Sequence, residues 1–308
     1  MIRWTRVLLT AIGLCAVLVG GALPASIQAA SSSKQNGLLI TPVRQFLSVD
    51  AGKSVDSKLT IANLTDKPLN VVLSVKQFSV TDYVYDYTFK QPANDWLRLG
   101  VTATRLESKE SRTVPYNVAA PQGAAPGGRY YTLLASANLS SQGLSSTIQA
   151  ADLLYLTVNG KLVRTSHLAG SSVQRLALGR SIAYHMQPIN TGNVHFFAYV
   201  SASVSGPFTH NASPASTHIL MPDKIRSLDG SVPSPVFPGV YKLTYGYRTD
   251  AGQSVSNTRL VVFMPPWFIA FVLAAFLVAG KFWPRKRKTK TPKNGAETGA
   301  GQSDKPSS

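Results

Sequence analysis

The sequence predicts an all-β protein: two β-sandwiches in tandem, followed by a single C-terminal helix. Three observations carry this. Period-two alternation runs from residue 37 to residue 264, one set of turn signals occurs twice along that stretch, and one uninterrupted apolar run follows it. In a strand, successive side chains point to opposite faces, so alternation marks a sheet with one buried side.

The strands come in order. Residues 57–63 place Leu59 and Ile61 on one face and Lys58 and Thr60 on the other. Val71, Leu73 and Val75 then alternate with Val72, Ser74 and Lys76, and Val114, Tyr116 and Val118 share a face in residues 112–118. Tyr131, Leu133 and Ala135 oppose Tyr130, Thr132 and Leu134, and residues 153–158 are apolar on both sides. Asp-Ala-Gly, Thr-Asp-Lys-Pro and Pro-Gly-Gly punctuate these runs, the signature of antiparallel strands joined by tight turns. No amphipathic helix is evident away from the termini.

The same grammar recurs. Asn63-Leu-Thr-Asp-Lys-Pro between two strands is matched by Asn190-Thr-Gly-Asn, and Pro126-Gly-Gly-Arg-Tyr130 by Pro238-Gly-Val-Tyr241. Two copies imply two immunoglobulin-like sandwiches, residues 37–157 and 158–264, each large enough for a core. Flanking them, residues 1–30 read as a signal peptide, 31–36 as a linker, 265–283 as a transmembrane helix and 284–308 as a basic, disordered tail.

The terminal assignments rest on charge and apolarity. Arg3 and Arg6 precede an apolar run over residues 7–19 and then small residues to Ser31, the order of a secretory signal. An uncleaved first helix is the alternative. Near the other end, Trp267 and Trp283 bracket about 17 residues, roughly 25 Å of helix, the short end of a bilayer span. Trp267, Lys281, Trp283, Arg285, Lys286, Arg287 and Lys288 are the expected membrane-interface anchors, with the basic cluster on the cytoplasmic side. The expected location is therefore the cell membrane, single-pass, with the bulk of the chain outside and the C-terminus in the cytoplasm.

The lone cysteine, Cys15, lies in the signal core. An exported region without cysteine has no disulfides, which suits a single-membrane bacterium or an archaeon better than an animal surface. The sequons at Asn63, Asn138 and Asn211 are read as chance. Of the net charge of +17, eight Lys/Arg from Lys281 onward against Glu297 and Asp304 supply +6 and Arg3 with Arg6 supply +2, leaving +9 between the ends. Such an excess favours anionic partners, wall polymers or phospholipid headgroups, over nucleic acid, for which no arginine stripe is present.

Catalytic signals are weak. The five histidines, His167, His185, His195, His210 and His218, show no metal-ligand spacing, and no Gly-x-Ser-x-Gly elbow occurs. The sequence predicts no enzyme, no metal and no cofactor. The most pointed segment is Asp82-Tyr-Val-Tyr-Asp-Tyr-Thr-Phe89. If it is a strand, Tyr83, Tyr85, Tyr87 and Phe89 share one face, a flat aromatic platform on which sugar rings could stack, with Trp96 nearby. Packing of these rings over a sandwich end or on Trp96 is the other reading.

Several of these stretches together resemble a known family. Leu39-Ile-Thr-Pro-Val-Arg-Gln-Phe-Leu-Ser-Val-Asp-Ala-Gly52, the strand to Asn63, Trp96 before Leu97-Arg-Leu99, Val114-Pro-Tyr-Asn-Val-Ala-Ala-Pro121 and Pro126-Gly-Gly-Arg-Tyr130 resemble the first module of WxL-interacting proteins. The resemblance implies a Gram-positive surface protein with two immunoglobulin-like domains, the first associated with peptidoglycan and the second with a protein partner. The expected function is accordingly non-enzymatic: binding of a cell-wall polymer, another surface protein, or both. The alternative is a structural spacer or a subunit of a surface or secretion assembly.

Overall fold

The computed structural model describes residues 37–141, 144–207 and 209–282. Its contacts divide the chain into two units. One holds the residues up to Ser79 and Phe89–Gly160, and the other holds Val80–Thr88 and the residues from Lys161. The short stretch Val80–Thr88 thus belongs with the second unit although the chain on both sides of it belongs to the first.

The first unit is built from β1 (Leu38–Thr41), β2 (Arg44–Val49), β3 (Ser54–Asn63), β4 (Leu69–Val80), β5 (Tyr87–Lys90), β6 (Leu97–Leu99), β7 (Ala103–Leu106), β8 (Ser111–Ala119), β9 (Gly127–Ser141) and β10 (Leu144–Val158). One sheet has the order β1-β3-β8-β6; the other has β2-β10-β9-β4-β5, with β7 also on β4. The alternation maps onto burial as expected: Leu59, Ile61, Leu73, Val114, Val118, Tyr131, Leu133, Leu154 and Leu156 fill the space between the sheets.

Residues 153–158 are apolar on both faces for a reason the core alone does not supply. Tyr155 points away from the sandwich interior, yet it is 2 % exposed. On that outer face its ring stacks on Phe46 at 5.1 Å and meets Phe78 at 5.2 Å and Tyr130 at 5.7 Å.

The second unit contains β11 (Ser166–Val173), β12 (Leu176–Ala177), β13 (Ser181–Asn190), β14 (Phe196–Gly206), β15 (Thr209–Ala212), β16 (Ser216–Leu220), β17 (Leu228–Pro233), β18 (Gly239–Thr249) and β19 (Ser254–Phe263). Its sheets run β11-β13-β17 and β12-β19-β18-β14-β15, with β16 on β14. This is the first unit's plan again. In each unit the opening strand is split between the sheets: β1 pairs antiparallel with β3 and β2 parallel with β10, just as β11 pairs with β13 and β12 with β19. The repeated turns of the sequence are therefore the visible part of a repeated immunoglobulin-like topology.

A buried asparagine holds the corresponding turn in each copy. Asn63, fully buried at the end of β3, donates from Nδ2 to the carbonyls of Lys67, Leu106 and Glu107 and accepts the Thr65 N–H at Oδ1. Asn190, at the end of β13, donates to Val194 O and Leu220 O and accepts the Gly192 N–H. Only glycine fits at 192, where a Cβ would stand 2.0 Å from Val163 O.

The C-terminal helix α1 spans Pro266–Phe282, seventeen residues. Proline suits the first turn, where an N–H has no partner to lose, and Phe268 and Ile269 both donate to Pro265 O. Here the membrane expectation is corrected. No helix among the described residues is long and apolar enough to cross a membrane. At 1.5 Å per residue α1 measures about 25 Å, less than the ~30 Å hydrocarbon core. A transmembrane helix over 265–283, and with it the single-pass cell-membrane location, is not supported. Trp267 is exposed at the start of α1 and Lys281 lies in its last turn. Trp283, Arg285, Lys286, Arg287 and Lys288 lie outside the described residues, as do the segments expected to be a signal peptide (1–30), a linker (31–36) and a tail (284–308).

Because each asparagine satisfies several buried backbone groups, its loss leaves orphans costing about 1–3 kcal/mol apiece. Asn63→Ala and Asn190→Ala should each destabilise their own unit by about 3 kcal/mol in urea unfolding. A loss under ~1 kcal/mol would show that these side chains do not organise the turns.

Candidate functional site

The aromatic segment is not the strand its spacing suggests. Tyr83 and Tyr85 adopt φ of 67° and 65°, in the left-handed region, and strand geometry starts only at Tyr87. Two left-handed residues reverse the chain direction locally, so period two fails. The four rings do not share one face. Tyr83 is 48 % exposed and its backbone pairs with the 225–227 segment: Tyr83 N–H donates to Ile225 O and Ser227 N–H to Tyr83 O. Tyr85 turns inward, its Oη accepting the Met221 N–H at 2.9 Å while the Arg226 guanidinium lies 4.6 Å from its ring centre. Burial pushes the Tyr85 phenol up to about 12. Asp82 accepts from Ile225 N and from Lys224 Nζ. The segment is a plug of the second unit.

Tyr87 and Phe89 lie two apart on β5, both partly exposed. Trp96 is elsewhere in the first unit, half-buried against the core, with the Arg129 guanidinium 5.7 Å from its ring centre. The structure therefore does not assemble the five aromatics that the sequence groups into one platform.

What it does assemble is an open strand edge. β10 pairs with β9 along its whole length but with β2 only from Leu153 to Val158. Leu153 N–H donates to Val43 O and Asn159 N–H to Val49 O, so odd-numbered residues of β10 aim their backbone groups toward β2. By alternation, Thr147, Gln149 and Ala151 aim N–H and C=O past the point where β2 ends. No strand among the described residues pairs with them.

This edge lacks the usual protections. Residues 144–151 contain no charge and no proline. The side chains directed at the core, Ile148 and Ala150, are apolar and only half-buried, opposite the buried Ala137 and Ala135. The matching edge of the second unit differs. β12 covers only Val262 and Phe263 of β19, but Arg259 stands opposite the buried Leu243, a charge pointing to the core side, and Asn257 Nδ2 donates to Ser171 Oγ on β11. An inward-facing charge is a standard way to discourage strand addition.

Where the covered part of β10 begins, Asp152 is fully buried on the core side. Gln45 Nε2 of β2 donates to its Oδ2, and Ser57 Oγ donates to Gln45 Oε1 at 3.2 Å. Burial, offset only in part by the Gln45 donor, raises this carboxyl from 3.8 to about 6.

On the outer face beside the open edge lies a cleft of ≈ 610 Å³, lined by Lys76, Phe89, Lys90, Thr132, Leu134 and residues 149–151 among others. Sequence reading places Lys76 and Thr132 on their outward faces. Nothing local reveals that β4, β5, β9 and β10 bring them together.

The histidines do not converge. His195 is buried, which lowers its pKa to about 4, and His185 Nδ1 lies 2.8 Å from Asp229 Oδ1. Among the described residues no group of three or more His, Cys, Asp and Glu could hold a metal ion.

The sequence matches no protein-family model and no curated protein. Among solved structures, the chain is similar to a chaperone–tip adhesin complex of CFA/I fimbriae, at 12 % identity and a TM-score of 0.41, covering 73 % of this chain and 98 % of that one. It is similar also to the class 5 fimbriae chaperone CfaA, at 13 % identity and 0.40, covering 73 % and 99 %. A third is the CsuC–CsuE pre-assembly complex of Acinetobacter baumannii, at 12 % identity and 0.38, covering 74 % and 98 %.

The raised Asp152 pKa gives a pH dependence of defined sign. The folded state holds this proton more tightly than the unfolded chain, so the stability it contributes below about pH 4 is lost as pH rises through about 6. Relative to Asp152→Asn, the wild-type first unit should lose about 2 kcal/mol of unfolding free energy between about pH 4 and pH 7. Parallel pH profiles for the two proteins would contradict the burial argument.

Proposed function

We propose that the protein is a non-catalytic binding module whose first unit takes up an extended segment of another protein along the open edge of β10. The observation that carries this reading is the unblunted edge itself. Outward-aimed backbone groups at Thr147, Gln149 and Ala151 lie over a seam of half-buried apolar side chains, Ile148 and Ala150. Main-chain hydrogen bonds would supply affinity and alternate apolar side chains of the incoming strand would complete the seam. Each new hydrogen bond contributes about 0.5–1.5 kcal/mol net, so a few in a row with apolar cover suffice for specific association.

Of the two partner classes the sequence suggests, another protein and a wall polymer, the edge favours the protein. A row of N–H and C=O groups matches a polypeptide backbone, and a sugar polymer has no such complementary row. The resemblance to WxL-interacting proteins supports a protein partner as well, although there it falls to the second domain. The role as a subunit within a larger assembly is compatible with the same contact.

Two variants test the reading in the cells that make the protein. Benzoylphenylalanine in place of Thr147 should photocrosslink a second polypeptide through an extended segment, and the same probe at Thr258, on the protected β19, should not. Thr147→Pro removes one outward N–H while sparing the β9 ladder, and should weaken the captured complex about tenfold. No crosslink at Thr147, or equal crosslinking at both positions, would sink the proposal.

A further inference from the structure

The larger sheet of the second unit carries a hollow on its outer face. There the outward residues of β14, β18 and β19 fall into a small grid. Tyr199, Arg248 and Ser254 stand side by side across the three strands, and Ser201, Gly246 and Ser256 form the next row. With strands about 4.8 Å apart and rows about 7 Å apart, the grid spans about 10 Å by 7 Å. Its centre is bare. A Cβ at position 246 would stand 2.2 Å from Val255 O and 2.7 Å from Ser256 Cα, so the position takes no residue larger than glycine. Over that floor lies a cleft of ≈ 550 Å³.

The side chains around the hollow have a definite chemistry. Tyr199 is 41 % exposed, and Ser201, Arg248, Ser254 and Ser256 are exposed as well. Arg248 takes part in none of the ion pairs among the described residues, and no carboxylate lines the cleft. β18 pairs with β14 on one side and β19 on the other, so its backbone groups are already used. A polypeptide strand has no ladder to join here, and recognition falls to side chains. Serine hydroxyls both donate and accept, which matches the hydroxyls of a sugar. The Tyr199 ring offers an apolar surface with a polar tip. One guanidinium calls for one anion with paired oxygens, whereas a nucleic acid backbone would need a row of cations.

We propose that this hollow binds an acidic saccharide, a sugar ring bearing a carboxylate or a phosphate. The ring lies over Gly246 with one face against Tyr199. Ser201 and Ser256 exchange hydrogen bonds with its hydroxyls. Arg248 holds the anion through two parallel N–H donors, and Ser254 adds a hydroxyl donor beside them. The site belongs to the second unit alone and does not depend on the β10 edge.

The full chain should be titrated by amide-resolved NMR with tetragalacturonate, which carries carboxylates, and with galactose 6-phosphate, which carries a phosphate. Two comparators separate sugar from charge. Methyl-esterified tetragalacturonate keeps the sugar without the charge, and acetate with inorganic phosphate keeps the charge without the sugar. At least one acidic sugar should shift the amides of Ser201, Gly246 and Ser256 saturably, and the tighter of the two identifies the anion. Affinity should fall about tenfold in Arg248→Met and about fivefold in Tyr199→Ala, with the unfolding midpoint unchanged because both side chains are exposed. No saturable shift with either acidic sugar, equal binding of the ester or of the free anions, or indifference to either substitution would overturn the site. Thr147→Pro lies in the first unit and should leave sugar binding unchanged; a loss there would contradict a site confined to the second unit.

Discussion

One constraint shapes the first unit: its opening strand serves two sheets. β1 is committed to β3, the chain passes Pro42, and only then can β2 run beside β10. Because that crossing uses up the chain, β2 reaches no farther along β10 than Leu153. The part of β10 distal to it keeps β9 on one side, and no strand among the described residues pairs with its other side. The open edge is thus a consequence of topology, and its residues 144–151 lack charge and proline, the features that would ordinarily block strand addition.

The second unit shows what protection looks like on the same plan. Its opening strand is split in the same way and β12 is even shorter than β2, yet β19 carries Arg259 on the core side and ties Asn257 to β11. With topology held constant, the difference lies in side chains. Buried Asp152, held by Gln45 of β2, marks the boundary between the covered and open parts of β10. Its buried carboxyl, with a pKa raised to about 6, makes the packing at that boundary sensitive to pH.

Much of this architecture was legible in the residues. Leu59 with Ile61, and Val114 with Val118, announce their strands through alternation, and the Asn63 and Asn190 turns announce the repeat. Local spacing is a poor guide to backbone geometry in the aromatic segment. Tyr83, Tyr85, Tyr87 and Phe89 recur at period two, but left-handed φ at the first two breaks the strand, and tyrosine gives no hint of that conformation in sequence. The apolar run after Pro265 forms the helix Pro266–Phe282, and no helix among the described residues is long and apolar enough to cross a membrane. The open edge and the Lys76–Lys90–Thr132 cleft were illegible for a different reason. Both depend on which strands become neighbours, a non-local outcome of the fold.

The most direct test of the open edge is residue-resolved amide hydrogen exchange on the full chain without a partner. Thr147, Gln149 and Ala151 should exchange quickly, while Ile148, Ala150 and Asp152, donating into β9, should be protected, an alternation along one strand. Uniform protection through residues 147–152 would mean that something already covers β10, and the account of its edge as a docking site would be wrong.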